Sequence, residues 1–109
     1  MQIDLLHLEE VIHPNMRGGE KEVAMRTFSN DKNRIMLGRL IPGSSIGLHA
    51  HIGDSETIFF LKVEGKVLCD DVYEPVFPGA CHHCPEGHSH SVINDGKEEL
   101  VFFAVVPKH

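Results

Sequence analysis

From Arg34 onward, turn signals return at short intervals: Pro42-Gly43, Gly53-Asp54, Glu64-Gly65, Asp70-Asp71, Pro78-Gly79, Pro85 to Gly87 and Asp95-Gly96. No helix of ordinary length fits between such breaks, because proline and glycine interrupt the helical hydrogen-bond ladder. Strands do fit. The runs at residues 34–41, 57–63, 66–70, 72–77, 89–94 and 100–106 are rich in Ile, Val, Leu and Phe and are strand-length. Short apolar runs at this spacing specify an all-β sandwich or closed barrel of antiparallel strands.

Residues 1–32 lack this rhythm. His13-Pro14 and Gly18-Gly19 break any period there, and the segment reads as an N-terminal arm or edge strands packing on the barrel or on a partner. A chain of 109 residues has room for one compact domain spanning residues 1–109, since small domains bury only about 60 to 70% of their unfolded surface. The 41% hydrophobic and 24% charged content matches soluble globular proteins and argues against disorder. No stretch approaches the roughly 20 apolar residues of a transmembrane helix, and Asp4, Glu9 and Glu10 spoil any secretory leader in the first ten residues. No membrane partner and a cytoplasmic location are the expectation.

Cys69, Cys81 and Cys84 are too few for a stapled secreted scaffold and are expected to be free thiols. The net charge of −6 with scattered basic residues offers no stripe to neutralise phosphates, which excludes nucleic acid as the expected partner. The histidines are the compositional anomaly. Six of the nine fall between His49 and His90, and imidazole is the commonest metal ligand.

Their spacing gives that bias a chemistry. One segment reads Gly43, five residues, His49, one residue, His51, four residues, Glu56. Alternate residues of a strand project to one face, so His49 and His51 can share an ion there. Gly53-Asp54 is a turn that can return the Glu56 carboxylate over them. A second segment reads Gly79, five residues, Pro85, one residue, Gly87, two residues, His90, three residues, Asn94. Pro85 and Gly87 launch a strand carrying His90, and Asn94-Asp95-Gly96 ends it in a turn. His90 completes a set of three imidazoles and one carboxylate.

The two segments resemble the two motifs of the cupin superfamily. The second matches that family's pattern at every fixed position, whereas the first has Val63 where the family carries glycine, with Gly65 two residues on. That departure implies a displaced or tightened hairpin and leaves the ligands untouched. The resemblance covers residues 43–94 and implies a cupin jelly-roll barrel, also called a double-stranded β-helix, with one divalent metal ion on His49, His51, Glu56 and His90. A mixed N/O set suits Fe, Mn, Ni, Cu or Zn without ranking them. The resemblance to small cupins also implies a homodimer, with Ile3, Leu5, Leu6, Leu8, Val11 and Ile12 docked on the partner; the alternative folds this arm back on its own barrel and leaves a monomer.

Other candidates are weighed against plainer roles. His88, two residues before His90, either shares the inward face as an acid, base or substrate contact, or sits in the turn at the rim. In Cys81-His82-His83-Cys84 the cysteines face opposite sides of a strand and lack a second ligand pair, so they read as small strand residues, while one of the two histidines points inward. Arg39 is either an anion contact or an ordinary exposed strand arginine. The phenylalanines and Tyr73 read as barrel packing.

Two functions stay open. One is a metal-dependent enzyme acting on a small organic molecule, with dioxygenation, decarboxylation, isomerisation and lyase chemistry all implied by the resemblance. The other is a non-catalytic binding or sensing barrel whose metal anchors a small-molecule ligand. One scaffold hosts both, so the fold does not choose.

Overall fold

The computed structural model describes all 109 residues. Ten strands form two antiparallel sheets: β1 (Glu10–Pro14), β2 (Glu22–Ser29), β3 (Asn33–Leu40), β4 (Ser45–Ala50), β5 (Glu56–Lys62), β6 (Gly65–Cys69), β7 (Val72–Val76), β8 (Cys81–Cys84), β9 (Ser89–Ile93) and β10 (Leu100–Pro107). The six-stranded sheet runs β1-β2-β3-β10-β5-β8, and the four-stranded sheet β4-β9-β6-β7 packs across it. This is the expected all-β jelly roll. No helix is long and apolar enough to cross a membrane.

Strand β10 shows why the sequence folds this way. Leu100, Phe102, Ala104 and Val106 are buried, and the residues between them are half-buried on the other face. A period of two places one apolar row in the core. Phe102 meets Phe60 of β5 at a ring separation of 6.4 Å, and with Leu40, Ile58, Val67 and Leu100 they form the centre of the core. Cutting such a buried aromatic back to alanine costs about 3–5 kcal/mol.

Residues 1–32 are more regular than the sequence suggests. β2 is an interior strand, paired with β3 on one side and β1 on the other. Its buried run Val23-Ala24-Met25 defeats the alternation test, because three consecutive residues are covered. β1 forms the sheet's outer edge, and the arm folds back on its own barrel. Two guanidinium groups fasten it: Arg26 donates to the carbonyls of Leu6 and Leu8, and Arg39 donates to both carboxylate oxygens of Glu10 at 2.9 and 2.7 Å.

The connection at Val63 differs from the expected hairpin, because β5 and β6 lie in different sheets and do not pair with each other. The turn is not displaced towards Gly65: β5 ends at Lys62, β6 begins at Gly65, and Val63 itself takes the left-handed conformation with φ of 59°. A β-branched side chain is strained there. Gly65 is required for another reason, since a Cβ would sit 2.8 Å from the Ile93 carbonyl oxygen.

Candidate metal centre

Two sheets contribute to one cluster. In the four-stranded sheet, His49 on β4 lies directly across from His90 on β9, and His51 follows just beyond the end of β4, its N–H donating to the His88 carbonyl. The chain then turns through Gly53-Asp54 into the other sheet, where Glu56 is the first residue of β5. The carboxylate therefore arrives from the facing wall of the barrel. His51, Glu56 and His90 are buried and His49 is half-exposed.

One donor atom from each of these four residues lies within 4.8 Å of the other three. Three of them form a tighter triangle: His51 Nε2 to His90 Nε2 is 3.0 Å, His51 Nε2 to Glu56 Oε1 is 3.1 Å, and His90 Nε2 to Glu56 Oε1 is 2.9 Å. Ligands at right angles on bonds of about 2.1 Å stand about 3.0 Å apart, so the spacing fits one coordination sphere.

The outward nitrogens fix which atoms face the cluster. His49 Nδ1 donates to the Gly47 carbonyl at 2.7 Å, and His51 Nδ1 donates to the Asp54 carboxylate at 2.8 Å. On β8, His82 Nδ1 donates to Glu74 at 3.2 Å, and burial keeps that imidazole below its ordinary pKa and hence neutral. His82 Nε2 is then an acceptor for His90 Nδ1 at 3.0 Å. Each of the three rings turns its Nε2 to the same point as a carboxylate oxygen. A proton or a metal ion must sit among these atoms, because facing lone pairs repel.

The electrostatics agree. Burial alone would push the Glu56 carboxyl up, but hydrogen bonds from His51 and His90 outweigh it and hold the group at about 2. Glu56 is therefore a carboxylate at neutral pH. Its hydrogen bond raises the pKa of His51, against burial and with help from Asp54, whereas burial lowers that of His49. Taken together, the cluster can hold a metal ion, with Asp54, His82 and Glu74 orienting its ligands from behind.

The remaining candidates separate cleanly. His88 takes the rim position: it lies outside β9, is about half exposed and pairs with Asp70. It does not share the face of His90. Of the histidine pair, His82 points in and His83 points out to Thr57. Cys81 is exposed and Cys84 is buried on the other face, so the pair forms no C-x-x-C metal site, and burial pushes the Cys84 thiol up to about 12, which leaves it unactivated. Arg39 is a structural ion pair with Glu10 and Glu99. Asn94, the last fixed residue of the second motif, is fully buried and closes a loop, donating to the Leu40 and Glu98 carbonyls and accepting from Gly96.

Beside the cluster opens a cavity of about 540 Å³, reached by His49 and Glu56 and walled by one face of β1, β2 and β3. Sequence reasoning did not place Arg34 or His13 there. The signal was present in the strand phase: Met36, Gly38 and Leu40 are buried on one face of β3, and Arg34 has the same parity.

Residues 36–106 match the sequence pattern of the cupin domain. The chain belongs to the cupin family. Among cupins, it is 37% identical over 98 residues to the oxalate-binding protein of Thermotoga maritima, covering 84% of this chain and 81% of that protein. The crystal structure of a predicted oxalate decarboxylase from Thermotoga maritima superposes with a TM-score of 0.93 at 30% identity, over 100% of both chains. The cupin domain of Cnp3 from Schizosaccharomyces pombe gives 0.80 at 10% identity, over 99% of this chain and 74% of that one, a likeness of fold alone.

Proposed function

We propose that this cupin holds one divalent transition-metal ion on His49, His51, Glu56 and His90 and uses it to bind a small chelating carboxylic acid. The observation that carries the reading is the set of three Nε2 atoms and one carboxylate oxygen turned to one point, each imidazole held by a partner at its other nitrogen. Bound there, the ion would supply a Lewis-acidic positive charge for an anionic ligand. Four protein donors on a six-coordinate ion leave two positions for that ligand. Glu56 offsets part of the ion's charge while the neutral imidazoles leave the rest available. The name of the oxalate-binding relative supports the ligand class. The test is elemental analysis of protein purified without an affinity column, followed by calorimetric titration with oxalate before and after chelation. Oxalate binding that survives both chelation and His90→Ala would refute the reading.

A second reading, catalysis on such an acid, is favoured by the polar side chains of Glu9, His13 and Arg34 lining the same cavity. Groups converging beside open metal positions are what proton handling requires. His88 is exposed at the rim, pairs with Asp70 and does not line the cavity. Assays for carbon dioxide release and oxygen uptake with oxalate, small diols, enols and oxo-acids distinguish an enzyme from a binding protein.

A further inference from the structure

The cavity is much larger than oxalate requires. Pockets of about 300–1,000 Å³ hold drug-sized ligands, and this one measures about 540 Å³, whereas oxalate is two carboxylates and nothing more. Half of its fourteen lining residues are hydrophobic. Met16, Met25, Met36, Ile46 and Val92 supply an apolar wall, and unbranched methionines adapt to ligands of irregular shape. The arm supplies the facing side through Leu8 and Val11, so the space exists only because residues 1–14 fold back on this barrel.

One buried donor in that wall has no hydrogen-bond partner. The Nε of Arg34 is buried and makes no hydrogen bond, while Arg26 and Arg39 are satisfied by Glu10 and nearby carbonyls. A buried unpaired guanidinium N–H is costly and in native proteins calls for a specific reason. An anionic ligand group is such a reason, and a carboxylate matches the guanidinium fork.

Building on the metal reading above, we infer that the cavity takes an organic acid with an apolar body, such as a medium-chain 2-oxo acid. Its acid group is met by the metal and Arg34, and its body by the methionine wall. Oxalate would engage the polar end and leave the wall uncovered.

The test is calorimetry on the full-length, Mn²⁺-loaded protein with oxalate, 2-oxobutanoate, 2-oxohexanoate and 2-oxooctanoate. Each buried methylene is worth about 0.8 kcal/mol, so affinity is expected to rise about fourfold per methylene along the oxo-acid series. Arg34→Met, which keeps an unbranched apolar stem and removes the charge, is expected to weaken every acid at least tenfold with one Mn²⁺ still bound. An affinity flat along the series, or tightest for oxalate, overturns the apolar assignment. Unchanged affinity in Arg34→Met overturns the role of Arg34, and the wild-type series stands whether or not that variant folds. Manganese stoichiometry on the same samples keeps the two readings apart. One ion bound with a flat series rejects this inference alone, whereas no ion bound rejects the metal centre and this inference with it.

Discussion

The Nε2 atom of His82 stands 3.0 Å from Nδ1 of His90, and the other nitrogen of His82 donates to Glu74, whose carboxylate is half exposed. A chain of three side chains thus runs from the surface to the back of a candidate ligand and sets which nitrogen of His90 faces the cluster. Losing such a partner typically weakens metal binding about 10–100-fold, which is the expectation for His82→Ala. His82→Gln, which keeps an acceptor oxygen, should recover part of the loss. His83→Ala, on the opposite face of β8, should change nothing. Competition with a chromogenic chelator measures all three.

Metal binding should depend on pH with a known sign. His51 has its folded pKa raised, so in the metal-free protein it keeps its proton to a higher pH than a free imidazole near 6.5. A metal must expel that proton. Affinity should therefore rise with pH up to the raised value, by at most about tenfold per unit for one proton, and level off above it. His49, whose pKa is lowered by burial, is already neutral in that window and adds no slope. Titration calorimetry at pH 7 in buffers of different ionisation enthalpy should show proton release. An affinity that falls as pH rises through neutrality would contradict the assignment of His51.

Metal should also stabilise the fold. A ligand of the native state alone adds about 2.7 kcal/mol at a hundredfold excess over its Kd, which for a chain of this size is a Tm shift of about 10 °C. Chelation should remove the shift, and His49→Ala should melt at one temperature with or without metal. Thermal scans with and without chelator test it.

Val63 offers a test away from the site. Its left-handed backbone costs roughly 1–2 kcal/mol for a non-glycine residue, and its side chain packs only partly against the core. Val63→Gly exchanges strain relief for lost packing and should shift stability by less than about 1 kcal/mol in chemical denaturation. Val67→Gly, at a fully buried site on the next strand, should cost about 3 kcal/mol or more.

The outer edge of β1 has no strand beside it, and Leu6, Val11 and Ile12 are exposed nearby. Open edges with apolar side chains invite another chain. Light scattering at micromolar concentration is expected to give a homodimer, about twice the 12.2 kDa chain. Ile12→Lys at that edge should yield monomers, and a wild-type mass near one chain would refute the expectation.

Much of this was legible because it is local. Six of the eight strands from Asn33 onward lie within a residue or two of the runs read from turn signals, since alternation and turn chemistry act over a few residues, whereas β4 and β8 fall outside those runs. The spacing of His49, His51, Glu56 and His90 likewise identified the cluster, because two short motifs carry all four positions. Val63 shows the limit of such reading: its place in the motif implied a displaced or tightened hairpin, yet the chain turns at Val63 from one sheet into the other and imposes the strained backbone on valine. The long-range partners were decided by the tertiary structure alone. Nothing in the sequence links Glu74 on β7, through His82 on β8, to His90 on β9, because the link crosses between the two sheets. The same holds for the cavity, whose wall joins β1 to β4 only after the arm has folded back. Sequence determined which residues present which chemistry on which strand face. Packing one sheet against the other decided which of those faces meet, since that depends on contacts between residues far apart in the chain.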